Sequence, residues 1–380
     1  MVTTKDRSLA GVNGQLQPLG LVFNSLTLGS GSAVSKGQGG RGFFMPFGSD
    51  TRLITNDDGS VLFVGMDSQQ GVFKPVSGGG YAPPATMNKT LTKNSDGTYT
   101  VLDVPSRQKM AFNTSGALTS ITDRNNNVTK FNYSGGQVNQ IQSGADDWVQ
   151  VTHNDDGTVA TVTDWGGPGT VSSGTTPDGV RYSYDSSGRL TQIRQVPSHS
   201  VTPNPPSTVE ASFTWTSGGD LASITDGDGN VTSFTYDSSH RVTKVSQGKG
   251  SDLADTRFQY FASWTDVADP NSDQSVQPSA AAHTIYDVNT STKLVSKATD
   301  PLGHTQSATY TPFNDVASAT NGVGGTSTNS YSSGVNGGHS VTQSTNPDRR
   351  HGQGLVRVRE QCVQRDKLHR PARQRVSDDV

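Results

Sequence analysis

The sequence predicts an all-β fold, stacked β-hairpin repeats forming part of a spiralling sheet. Three observations lead there. Val outnumbers Leu by 37 to 18, and 31 Asp stand against two Glu, Glu210 and Glu360. Val and Thr suit a pleated strand, whereas Asp, Asn, Ser and the 43 Gly suit tight turns. Positions pair with a period of two, as at Phe131/Tyr133 and Val231/Ser233, where a helix would show 3.6. Finally, the chain copies itself. Ile121–Tyr133, Ile224–Tyr236 and Ala298–Tyr310 each place an Asp (Asp123, Asp226, Asp300) two residues after an apolar position, and a Tyr ten residues after that Asp.

Taken in order, residues 1–90 read as a β-rich region leading into the repeats, with Phe23-Asn24-Ser25-Leu26 and the turn signal Asp58-Gly59-Ser60-Val61. Residues 91–345 read as hairpin repeats. Their second motif is Tyr184-Asp185 followed by Gly188-Arg189-Leu190 and Ile193, and it recurs as Tyr236-Asp237 with His240-Arg241-Val242 and Val245. Phe112 to Tyr133 and Trp215 to Tyr236 are both 21 residues, which sets the period. Insertions near 165–180, 196–210 and 247–283 interrupt it. A lone hairpin cannot bury its apolar face, so neighbours must join one sheet, each aromatic packing over the next. The repeats stop near 345. Residues 349–380 carry a net charge of +5 against -8 for residues 1–348, and the reading is a disordered or frameshifted tail, because a one-base displacement over Asp348–Pro371 can restore a pattern like Tyr310–Gly324.

The run Tyr-Asp-x-x-Gly-Arg-Leu-Thr-x-Ile at Tyr184–Ile193, with Ile121–Tyr133 and Ile224–Val245, resembles the RHS/YD-repeat family of bacterial polymorphic toxins and wall-associated proteins. The resemblance covers residues 90 to 345. It implies an open segment of a β-cocoon, a structural shell that encapsulates or displays a C-terminal toxin effector. Its implied partners are the remainder of the parent repeat shell and that effector, and its implied location is extracellular or at the cell surface. At this length the expectation is an incomplete turn of the spiral with open sheet edges.

No catalytic, cofactor-binding or metal-ligating residue is expected, and the chain reads as no enzyme. Asp226-Gly-Asp228-Gly-Asn230 begins like a calcium loop, but the sixth and twelfth positions hold Val231 and Asp237 where that loop needs Gly and Glu. Asn56–Gly59 and Asn154–Gly157 read as hairpin turns. Asp300-Pro301-Leu302-Gly303 fits a self-cleavage motif of the family superficially, and a repeat turn better. The eight His show no metal spacing, and His153 and His240 read as surface residues. One cysteine, Cys362, excludes an internal disulfide. No signal peptide or apolar run of membrane-spanning length is visible, and no nucleic-acid partner is expected. The alternative function is a cell-surface carbohydrate-binding or adhesion module, with Tyr184, Trp215 and Tyr236 stacking on a cell-wall glycan.

Overall fold

The computed structural model describes residues 20–28, 36–66, 68–84, 87–143, 147–164, 178–197, 207–250, 252–312, 314–331 and 341–346, and the backbone of short strands at Val2–Thr3, Ser8–Ala10, Leu16–Pro18, Thr175–Thr176, His199–Ser200 and Arg357–Val358. The basic tail beyond that last strand, Cys362 included, lies outside them. The helical pieces described are short 3-10 turns at Ser25–Leu28, Gly48–Asp50 and Pro278–Ala280.

One antiparallel sheet dominates. It holds 23 strands, from Lys89–Lys93 to Arg357–Val358, hydrogen-bonded in chain order. Two kinds of turn alternate along it, so each kind occupies its own rim. On the first rim Asp123, Asp226 and Asp300 open four-residue turns without a register shift. The opposite rim carries the tyrosine/aspartate turns, where the register slips at Asn132/Tyr133, Ser183/Tyr184, Thr214/Trp215, Thr235/Tyr236, Thr309/Tyr310 and Ser330/Tyr331, though not at Tyr260. Extra residues gathered mainly along one rim, with one further shift at Ile193/Arg194 toward the other, bend and twist the strands. A sheet bulged along one rim therefore coils.

The coil comes round on itself. Asn88, which precedes the first strand, donates from Nδ2 to Asp315 Oδ1 at 3.1 Å across 227 positions of sequence. Asp315 closes the turn after Thr305–Tyr310, the nineteenth strand of the sheet. With strands ~4.8 Å apart, the path between them is about 85 Å, and a ring of that perimeter is about 27 Å across. The turn is more complete than expected, because the bulges supply curvature that the repeat motif does not display, while the sheet edge at Lys89–Lys93 stays open, pairing only with Tyr99–Asp103. The segment 247–283, read as an insertion, contributes two ladder strands, Asp252–Tyr260 and Trp264–Ala268, before its loop.

The interior is filled by the chain that precedes the sheet. Residues 20–87 fold into small sheets, among them Val22–Phe23 with Phe43–Phe44 and the four-stranded run from Arg52–Thr55 to Tyr81–Ala82. Leu21, Phe43, Met45 and Phe73 are wholly buried. Phe43 meets Phe213 edge-on at 5.2 Å and Trp215 at 6.1 Å, Phe47 stacks on Phe131 at 6.4 Å, and Phe63 meets Phe112 at 6.3 Å. Burying one such side chain contributes about 1.5–3 kcal/mol. Backbone bonds fasten the same contact: Leu53 N–H to Gly116 O (2.9 Å), Arg41 N–H to Gly188 O (3.1 Å) and Val159 N–H to Gln38 O (2.8 Å). Gly116 is required there, since it has φ +84° and a Cβ would fall 2.1 Å from Leu53 O.

Candidate functional site: the inner wall and its lining segment

The aspartate that opens a repeat turn is a backbone acceptor. Asp226 Oδ1 takes N–H bonds from Asp228 (3.0 Å) and Asn230 (2.8 Å), and its Oδ2 takes the Asn230 side-chain amide (2.8 Å). Asp123 does the same with Asn125 and Asn127, and Asp300 with Leu302 and His304. The Asn230 side chain and backbone hold the Asp226 carboxyl below its ordinary range. At Asp185, burial opposes ionisation but is outweighed by the backbone N–H and guanidinium of Arg189, so that carboxyl is also lowered. These oxygens are committed to the turn. Asp226–Asn230 and Asp300–His304 are the same structure, so the calcium-like and cleavage-like motifs are both repeat turns. Asn56–Ser60 and Asn154–Thr158 close hairpins as expected.

The repeat aromatics face inward and act across hairpins, but not ring on ring as expected. Tyr133 donates its hydroxyl to Leu118 O (2.7 Å), Tyr310 to Val295 O (2.7 Å) and Tyr331 to Val316 O (2.9 Å), each 15 residues back. Tyr184 and Trp215 reach Val159 O and Leu190 O at 2.8 Å, 25 residues back across insertions. The acceptor is in every case the first strand residue after the preceding bulged turn, where the register shift changes the ladder pairing. Burial pushes the Tyr133 hydroxyl up to about 12, so it stays a donor. Phe131 and Tyr133 lie on this inner face, whereas the sister pair Val231/Ser233 lies on the outer one, opposite Phe234 and Tyr236. Trp215 is occupied by Phe23 and Phe43, so an outward sugar-stacking face made of Tyr184, Trp215 and Tyr236 is not what the fold presents.

The lining segment has one buried acid that the sequence reading missed. Asp50 Oδ2 accepts N–H bonds from Gln38 and Met45, both at 2.8 Å. Gln38 then donates its side-chain amide to Phe47 O (2.9 Å) and meets His153 Nε2 at 3.2 Å. Burial pushes the Asp50 carboxyl up to about 7 against the pull of those N–H groups and Arg52. His153 is half-buried and its pKa lowered by desolvation, which corrects its placement at the surface. The signal available in sequence was Gly37-Gln38-Gly39-Gly40 ahead of a Phe pair, but nothing local says that an Asp ten residues later is buried. His240 meets Asp220 at 2.7 Å in the neighbouring turn, taking a φ of +59° where sister turns use Gly. Among the described residues no group of three or more His, Cys, Asp or Glu could hold a metal, and no helix is long and apolar enough to cross a membrane.

Residues 215–252 match the family model named RHS Repeat. The chain carries an RHS repeat. This stretch spans Trp215 and the turn after it, the Asp226 turn, and Tyr236 with the Asp237 turn. Solved structures similar to the chain include the crystal structure of TcdB2-TccC3 without its hypervariable C-terminal region, at 11% identity and a TM-score of 0.39, over 74% of this chain and 19% of that one. A Photorhabdus luminescens Tc holotoxin pore structure with a TccC3 substitution is 13% identical, with a TM-score of 0.37, over 76% of this chain and 18% of that one. The chain spans about a fifth of the length of these structures. No curated protein matches.

Proposed function

We propose that this chain is a non-catalytic wall segment of an RHS-type shell, whose coiled sheet encloses or displays a C-terminal effector of a longer parent protein outside the cell or at its surface. The observation that carries the reading is the return of the RHS-repeat sheet toward its own start at Asn88 and Asp315, because a sheet that curls back makes a wall around a volume. In this reading residues 20–87 line the wall and the repeat strands from Lys89–Lys93 onward build it. The aspartates that open the repeat turns, Asp123, Asp185, Asp226, Asp237 and Asp300, hold backbone N–H groups, which fits a scaffold.

The test is limited proteolysis of the parent protein, carrying the sequence encoded downstream of residue 345. A shell predicts that the downstream region survives while the wall is intact and is digested once mild denaturant opens it. Digestion of that region at the same rate with the wall intact or opened would overturn encapsulation.

A further inference from the structure

The loop that follows Trp264–Ala268 folds back over the outer face of the sheet, and its short turn Pro278–Ala280 packs on that strand and on Asp252–Tyr260. Asp266, on the covered strand, is 2% exposed, with Gln259 and Ile285 as its neighbours across the ladder. Neither donates to its Oδ1. Ile285 is apolar, and Gln259 turns its Oε1 to the Ser279 N–H of the loop (3.1 Å). Asp266 Oδ1 is therefore buried without a hydrogen bond, a position in which a carboxylate ordinarily needs a partner.

Among the described residues its ion-pair partner is His283, at the far end of the same loop, with Nε2 3.8 Å from Oδ1. That is beyond hydrogen-bonding distance, so a protonated ring would still leave Oδ1 unbonded. The ring is already oriented, because His283 Nδ1 lies 2.7 Å from Ala281 O. A carbonyl only accepts, so Nδ1 carries the proton, and Nε2 of the neutral ring holds a lone pair. A buried carboxylate oxygen and an imidazole lone pair thus stand across a short gap with no proton between them. A histidine that ligates a metal is held in the same way, with its other N–H on a carbonyl or carboxylate. Ligand bonds of about 2.1 Å to each atom would subtend about 130° at an ion in the gap, and an approach of about 0.4 Å would make that angle tetrahedral.

We propose that Asp266 and His283 form a two-ligand site for a divalent transition-metal ion, completed by water, which staples the loop to the wall. Imidazole with carboxylate suits zinc and its neighbours, whereas calcium and magnesium take oxygen ligands. The pair Asp300 and His304 lacks this character: its side chains are joined at 2.8 Å, and Asp300 Oδ1 takes the N–H groups of Leu302 and His304.

The experiment is titration of the chelator-treated full chain with zinc chloride near neutral pH, read by hydrogen exchange across residues 264–283. Zinc is expected to slow exchange there saturably. His283→Gln and, separately, Asp266→Asn should each raise the zinc concentration for half-maximal slowing at least about tenfold, and His304→Gln should leave it unchanged. Exchange is read at the loop, so zinc taken up elsewhere on the chain does not enter the result. If Asp266→Asn lacks the parent's far-ultraviolet dichroism, His283→Gln decides. No slowing by zinc in the parent, the same slowing in His283→Gln, or equal weakening in His304→Gln overturns the site.

Discussion

The first and last thirds of the sheet are built by one repeat and end in different environments. From Tyr99 to Phe234 the inner mid-strand position holds residues such as Val101, Ile121, Phe131, Ile193 and Phe213, all buried under residues 20–87. From Thr284 onward the ladder brings Ala298, Ala308 and Ala319 to that position, all half-exposed. Past Phe234 the buried apolar residues among those described reduce to Ala268, which lies on the outer face, and Pro278 in the loop after it. The inward tyrosines persist throughout, and Tyr310 and Tyr331 make the same hydroxyl-to-carbonyl bond as Tyr133. The difference separates two jobs. The tyrosine fastens hairpin to hairpin whatever lies above it, whereas the mid-strand residue records whether a lining covers the wall.

The sharpest way to break this comparison is to remove the lining's central ring. Phe43→Ala is expected to cost about 3–5 kcal/mol of unfolding free energy, against under ~1 kcal/mol for Tyr286→Ala, whose side chain is 38% exposed. Equal losses in urea melts would show that both regions are covered alike. Next in size is Asp50. Its folded carboxyl is raised to about 7 from 3.8, so the folded chain keeps a proton that the unfolded chain releases between those values. Its stabilising contribution is therefore complete below about pH 4, is lost as pH rises toward 7, and is flat above. Over three pH units this is at most about 4 kcal/mol, and Asp50→Asn should remove that slope in melts at pH 5 and pH 8.

A reciprocal pair sharpens the contrast further. Ile121→Ala should cost about 2–5 kcal/mol, while Ala308→Ile should stay within about 0.5 kcal/mol of the parent because Ala308 is half-exposed among the described residues. A large loss in the second variant would reveal a cover over the late strands. The smallest effect belongs to the fastener. Tyr133→Phe is expected to cost about 0.5–1.5 kcal/mol, and Tyr310→Phe less, since its bond lies in more exposed surroundings. The ratio of the two losses measures how much of the fastener's strength comes from the lining.

Much of the wall was legible in the sequence. The Asp-to-Tyr spacing of ten is one strand between two turns, and period two places Phe131 and Tyr133 on one face without any knowledge of the partner strands. The Asp226 and Asp300 turns were equally readable, because an Asx turn is closed by atoms within four residues. The lining was not. Residues 20–87 show no repeat, and the burial of Asp50 depends on Gln38, Met45 and Phe131-side packing brought together from distant elements. The bulges escaped notice for a related reason: one surplus residue per tyrosine/aspartate turn resembles ordinary loop length until the register is seen.

The sequence by itself determined the strands, their alternating turns and the order in which they pair, because hairpin geometry is set by neighbours in the chain and a one-residue slip would turn every apolar side chain outward. The tertiary structure alone decided that the sheet coils until Asn88 meets Asp315, that residues 20–87 cover the early strands, and that Asp50 is sealed inside. Those outcomes rest on small bends summed over many strands and on contacts between residues far apart in the chain, and no local pattern encodes a sum.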